Sequence, residues 1–265
     1  MSYQSISYQK RDSIGYITLN RPEVSNAIST QMAMELEAVC GQINQDEDIR
    51  VVVVSGAGDE AFCSGEDLSQ FSSAVHGESS SLAELKEFTL RYNIAAMIGG
   101  IECPVVAAIN GNASGAGLAL ALSCDLRLAS DRSVFVIPDV ARGHLMANGI
   151  TQWLPRIIGR GKAMELILTA QPLDAHEAYR IGLVHRVIPH QDVFTEAEKL
   201  AGEIATKAPI ALRYTKEVVN KGLDLTLEQG LRLECDLYMV LQTTQDRTEG
   251  IEAFREKRQP LFRGE

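Results

Sequence analysis

The residues Asn110 to Gly117, reading NGNASGAG, carry the strongest chemical signal in the chain. Gly111, Gly115 and Gly117 lie between an apolar run, Val105 to Ile109, and a Leu/Ala run, Leu118 to Leu122. The first run, next to Pro104, predicts a buried strand. The second is made of strong helix formers and predicts a buried helix. The glycines between them predict a tight loop. A glycine-rich turn entering a helix leaves backbone N–H groups unpaired and aimed at one spot. With the helix dipole behind them, such donors suit an anion or a developing oxyanion. The competing reading is a close strand-to-helix packing turn with no chemistry.

Other uses of such a loop do not fit. The glycines run G-x-x-x-G-x-G, so the dinucleotide fingerprint is absent, and no Gly-Lys-Ser/Thr follows to make a phosphate-binding P-loop. Ser114 sits in G-x-x-S-G rather than in the G-x-S-x-G of a nucleophile elbow. An oxyanion site without an obvious nucleophile remains. Cys63 has no identifiable base beside it in the sequence and reads as a packed thiol.

The elements that must position this loop follow from the pattern around it. Ile6 and Tyr8, then Ile14, Tyr16 and Thr18, alternate around KRDS and predict an opening hairpin. Met32, Leu36, Val39 and Ile43 repeat at helical spacing. Val51 to Val54 predict a second buried strand, leading through Ser55-Gly56-Ala57-Gly58 into a long loop that includes AFCSGEDL. Residues 72–81, SSAVHGESSS, have the composition of an unstructured stretch. Leu82, Leu85, Tyr92 and Ala96 mark a helix before Pro104. Two short strands, 126–129 and 134–137, follow, and Pro138-Asp139 ends the second. Residues 143–149 predict a loop and 150–158 a helix. Asp174 and Glu177 have capping-box spacing for a helix ending at Gly182, and 184–188 predict a last strand. From Gln191 to Phe254 the pattern is helical, broken at Pro209 and Gly222. The fold class is therefore α/β, strand-rich over residues 1–190 and helical over 191–265.

Composition bounds the function. The chain has 265 residues, 45% hydrophobic and 23% charged, an ordinary globular balance with ample core. A net charge of -10 argues against nucleic acid as a partner. The five cysteines are scattered and mostly inside apolar runs, which fits reduced, packed thiols in a reducing compartment. No apolar run reaches membrane-spanning length, and MSYQSISYQKRD lacks an apolar signal core. A cytoplasmic protein is expected, with neither membrane nor nucleic acid as partner.

Several stretches together resemble the crotonase, or enoyl-CoA hydratase/isomerase, superfamily. They are AFCSGEDL at 61–68, PVVAAINGNASGAGLALALSCDLRLAS at 104–130, GRGKAMELILT followed by EAYRIGLVHRVIP, and the ending EGIEAFREKRQPLFRGE. The resemblance implies a spiral core of repeated ββα turns over residues 1–190. It also implies a C-terminal helical segment, 191–265, that docks on neighbouring subunits in a trimer or a dimer of trimers. The implied substrate is a coenzyme A thioester, with no cofactor beyond the coenzyme A it carries and no metal. Carried over by position, the oxyanion donors are the backbone N–H groups of Glu66 and Ala116. Ser64, Asp67 and Leu68 line the coenzyme A arm, largely through the backbone. For Asp67 a loop-capping carboxylate is the alternative.

The sequence departs from the family at the proton-transfer residues. Hydratases of the family use two glutamates, and the matching positions here are Ala119 and Asp139. One carboxylate is absent and the other is shorter by about 1.5 Å. Hydration needs a positioned water and proton delivery, the work of two groups. Moving a proton from C2 to C4 needs only one. The expected reaction is isomerisation of 3-enoyl-CoA to 2-enoyl-CoA, with Asp139 as the single acid/base. A hydratase or dehydratase with an altered pair and an acyl-CoA-binding protein without catalysis are the alternatives. His144, in ARGHLMANG, is a second candidate, because an imidazole exchanges protons near neutral pH. Arg142 is a candidate clamp for a second carboxylate on the substrate, and Lys257 and Arg258 for coenzyme A phosphates across a subunit boundary. A solvated charge is the simpler reading of each.

Overall fold

A computed structural model describes residues 3–67, 93–146 and 148–265. The chain opens with the predicted hairpin. Strands β1 (Ile6–Arg11) and β2 (Ile14–Leu19) pair antiparallel, with Ile6 opposite Leu19 and Arg11 opposite Ile14. Helix α1 (Thr30–Gln45) follows, its first turn capped by the Ser29 hydroxyl accepting from Met32 N at 3.1 Å. It buries Met32, Leu36, Val39 and Ile43, the four positions the spacing selects. It also buries Glu35. Burial pushes that carboxyl up, but Gln31 and the backbone N–H groups of Gln4, Ser5 and Ile6 donate to it and hold it below the usual carboxylate range.

Three repeated turns make the core. The first runs from β3 (Val51–Gly56) through β4 (Ala61–Cys63) and, across residues outside those described, to α2 (Ile94–Gly99). The second runs β5 (Val105–Ile109), β6 (Asn112–Ser114), α3 (Ala116–Ser123). The third runs β7 (Leu126–Ser130), β8 (Val134–Val136), α4 (Ile150–Ile158). Helix α5 (Arg160–Thr169), the two-residue β9 (Leu173–Asp174), α6 (Ala175–Arg180) and β10 (Arg186–Ile188) come next. Each turn gives one strand to each of two sheets, ordered β1-β2-β3-β5-β7-β10 and β4-β6-β8-β9. The pairs from β2 to β10 in the first sheet, and β4-β6-β8 in the second, are parallel. This is the ββα spiral that the resemblance implies. Strands buried on both faces read as unbroken apolar runs, as Val51 to Val54 do.

The structure corrects several boundaries. Residues 110–117, expected to be loop throughout, contain β6, and the loop expected around AFCSGEDL contains β4. Strands this short show no alternation of their own and form because neighbouring turns stack them side by side. The strand expected at 184–188 is only Arg186–Ile188. The Asp174 side chain accepts from Glu177 N at 2.8 Å, and α6 ends at Arg180, just before Gly182. The stretch 72–81 and most of the helix expected before Pro104 lie outside the described residues.

The C-terminal pattern resolves into α7 (Val193–Ala205), α8 (Pro209–Gly222), α9 (Leu227–Leu241) and α10 (Gln245–Glu256). The break before α10, capped by Thr244, has no proline or glycine to announce it. Val193, Ala197 and Ala201 of α7 pack with Tyr16, Val53, Val106 and Leu128 of the first sheet. Lys216 of α8 pairs with Asp125 at 2.7 Å and donates to the Cys103 carbonyl at 3.0 Å. No residue of α9 is buried. Among the described residues, no helix is long and apolar enough to cross a membrane.

Candidate functional site

Strands β4, β6 and β8 lie side by side and parallel, so the segments leaving them come together at one edge of the second sheet. Ser64 to Glu66 leave β4, Ser114 to Ala116 leave β6, and Pro138 and Asp139 follow β8. Together they line a small cavity of about 40 Å³, joined by Arg142, His144 and Asn148. Packing between the turns fixes this meeting point. A Cβ on Gly117 would lie 2.2 Å from the Cys63 carbonyl oxygen, so only glycine lets α3 start this close to β4. Gly65 has φ +97°, and a Cβ there would lie 2.9 Å from Ser114 O and 3.4 Å from Ala116 N.

Two backbone donors are left over. Glu66 forms an isolated parallel bridge with Ile28, but its neighbours carry the bonds: Ile28 N donates to Gly65 O at 2.8 Å, and Asp67 N to Ile28 O at 2.9 Å. The N–H of Glu66 itself faces away from that pairing. Ala116 is the first residue of α3, and its N–H is one of those a helix N-terminus cannot satisfy. Neither N–H finds an acceptor among the described residues.

Asp139 supplies the carboxylate. Its backbone opens a short 3-10 turn over Val140–Arg142, and its carbonyl accepts from Arg142 N at 3.0 Å and His144 N at 2.9 Å. Among the described residues, its Oδ2 is buried with no hydrogen-bond partner. A Cβ built on Gly115 would lie 3.7 Å from that oxygen, so the carboxylate sits directly across from the oxyanion loop. A buried carboxylate oxygen without a donor is costly, and such an exception fits a place where a ligand supplies the partner.

Glu66 also contributes its side chain, which the sequence reading used only for its backbone. Asn148 Nδ2 donates to Oε1 at 3.1 Å. Burial pushes the Glu66 carboxyl up, and the charge of Asp139 adds to this. The Asn148 bond and nearby His144 oppose the shift without cancelling it. An acidic residue between two glycine-loop backbones was the only signal, and it did not say where the side chain would point. Asn148 had no signal beyond its place in a loop; its φ of 59° holds it before Gly149.

The other candidates separate. Ser64 is exposed and lines the cavity. Asp67 is held by Arg21 at 3.0 Å, both side chains largely buried, and does not line the cavity. Leu68 lies outside the described residues. His144 and Arg142 are exposed at the cavity rim. Ala119 is fully buried in the core. Cys63 donates to the Asn26 carbonyl at 3.2 Å, and burial pushes its thiol up to about 12, so it is a packed thiol. Arg258 pairs with Glu249 at 2.9 Å within its own chain.

Two glycine-loop N–H groups lie across a small cavity from a carboxylate, on a ββα spiral, an arrangement that suits a developing oxyanion. The chain belongs to the enoyl-CoA hydratase/isomerase family, whose model it matches over residues 9–265. It is 41% identical over 255 residues to the Bacillus subtilis protein YngF, which carries the name enoyl-CoA hydratase/isomerase, covering 96% of each chain. It is 34% identical over 263 residues to the crotonyl-CoA hydratase of Syntrophomonas wolfei, covering 99% of each. The crystal structure of an enoyl-CoA hydratase from Bacillus anthracis superposes with a TM-score of 0.92 at 36% identity, covering 99% of this chain and 100% of that one. The protein is therefore an enzyme of this family, and an acyl-CoA thioester is consistent with its substrate.

Proposed function

We propose that the enzyme forms the enolate of an acyl-CoA thioester and moves its double bond from C3 to C2, with Asp139 as acid and base. The carrying observation is the pair of unpaired N–H groups, Glu66 and Ala116, opposite the orphaned Oδ2 of Asp139. The thioester oxygen accepts from both N–H groups. When a proton leaves C2, negative charge grows on that oxygen, where preorganised backbone donors stabilise it most. Asp139 takes the proton and returns it at C4. Ser64 lines the coenzyme A arm. Asp67, whose carboxylate is occupied by Arg21, contributes backbone. His144 at the rim is the second candidate for proton transfer.

Water addition is the second reading. The similarity to the crotonyl-CoA hydratase of Syntrophomonas wolfei favours it, as does a second acidic residue, Glu66, in the same cavity. No cofactor is needed beyond the coenzyme A of the substrate. Residues 191–265 serve assembly into a trimer or a dimer of trimers, and four buried free thiols fit the cytoplasm. The test is a panel of 2-enoyl- and 3-enoyl-CoA thioesters, followed for double-bond migration and for water uptake, with thermal melting as the binding control. Acyl-CoA should raise the melting temperature by binding the native state. Binding with neither reaction would support a silent binder instead.

A further inference from the structure

The site holds a second carboxyl that the proposed mechanism leaves unused. Glu66 lines the same cavity as Asp139, and its carboxyl is held by Asn148 of that cavity and feels the charge of Asp139. The charged and titratable groups around that side chain, among the described residues, are Asp139, His144 and Arg142 on the cavity wall and Asp67, bound to Arg21, next along the chain. Asn148 fixes one of its oxygens at 3.1 Å. Ala119 offers nothing, being a buried methyl in the core.

We propose that the Glu66 carboxyl is a proton-carrying catalytic group of this site, taking the part that a glutamate at position 119 would otherwise play. The inference rests on the enolate reading above and changes one part of it: Glu66, not Asp139, protonates C4. Its chemistry balances without an outside reagent. Asp139, as carboxylate, takes the proton from C2; the C–H electron pair enters the dienolate held by the two N–H groups. Glu66, as carboxylic acid, breaks its O–H bond and forms the new C–H bond at C4, keeping the electron pair as carboxylate. Asp139 then holds the proton taken from C2, and exchange with water resets the pair: Asp139 releases that proton and Glu66 takes up another. Burial and the charge of Asp139 both favour the neutral acid in Glu66, the form the step requires. The same two groups could also serve water and C2, so hydration would not require a glutamate at position 119.

The experiment compares the full-length protein with Glu66→Gln and Glu66→Asp on a 3-enoyl-CoA and on crotonyl-CoA. Glu66→Gln keeps the backbone donor, the shape and an acceptor for Asn148, and removes only the proton. It should lower kcat by about 10²-fold with KM within about twofold, and abolish the alkaline fall in the wild-type pH profile. Glu66→Asp should recover part of the lost rate. With a 3-enoyl-CoA deuterated at C2, in ordinary water, the wild type should place protium at C4. Deuterium retained at C4, or a Glu66→Gln kcat within twofold of wild type, overturns the proposal. So does a Glu66→Gln variant that no longer shows the acyl-CoA melting shift, because the side chain would then shape the pocket. A wild type that shows no such shift defeats the enolate reading itself, a separate result from full activity in Glu66→Gln.

Discussion

Helices α3 and α9 both carry many apolar residues and meet opposite fates. Every residue of α3 is buried, and its N-terminus is wedged so tightly against β4 that only glycine fits at 117. In α9 nothing is buried: Leu227 is 80% exposed, and Leu231, Tyr238, Met239 and Val240 are also open. The first helix buries its apolar surface inside its own chain and in doing so aims a backbone N–H at the cavity. The second keeps an apolar face that its own chain does not cover, of the kind that marks an interaction surface. The geometry of the candidate site therefore depends on intrachain packing, whereas α9 leaves an apolar face uncovered by the described residues.

The largest expected effect breaks the α3 side. Gly117→Ala puts a methyl 2.2 Å from a backbone carbonyl that cannot swing aside. It should cost several kcal/mol or unfold the protein, read as a lost or strongly lowered transition in circular dichroism melting. The same change in α9, Gly230→Ala, meets only an ordinary contact at 3.8 Å. It should raise stability by about 0.5–1 kcal/mol, because a helix interior with room for a methyl favours alanine. Equal effects at the two positions would erase the contrast.

Asp139→Asn comes next. It keeps the shape and removes the base, so turnover should fall by about 10²-fold or more while acyl-CoA still raises the melting point. If Asp139→Asn kept full activity and His144→Ala abolished it, the chemistry would belong to the rim histidine.

On the α9 side, light scattering should report an oligomer, trimer-based, for the wild type. The pair Leu227→Ser and Leu231→Ser should shift it toward monomer with the monomer fold intact. A wild type that stays monomeric across micromolar concentrations would show that this face is covered in some other way.

The smallest effect lies at the chain's end. Arg258 beside Glu249, helped by the Leu261 N–H, holds that carboxyl down at about 2 against its ordinary 4.5. A lowered carboxylate stabilises the fold above its unfolded value and loses that contribution as pH falls through the folded one. Glu249→Gln should lower the melting temperature slightly at neutral pH and flatten its dependence on pH between about 4.5 and about 2, the gap to wild type closing as pH falls. The pair is exposed, so the change should be small.

Much of this molecule was legible in the chain itself. Val51 to Val54 and Val105 to Ile109 announce buried strands because a strand covered on both faces has no polar side to show. The helical spacing in α1 selected the buried residues, and NGNASGAG marked the backbone turn because only glycine tolerates it. The site's wall was less legible. Strands β4, β6 and β9 are two or three residues long and are formed by partners far away in sequence, so no local pattern announces them. Whether Asp67 meets ligand or Arg21, and whether Glu66 offers only its N–H or its carboxyl as well, depends on where side chains point once three turns are stacked. Local sequence fixes the backbone preference at each of these positions; the side chains facing one another across the cavity come from turns some seventy residues apart, and only their packing decides what each carboxyl meets.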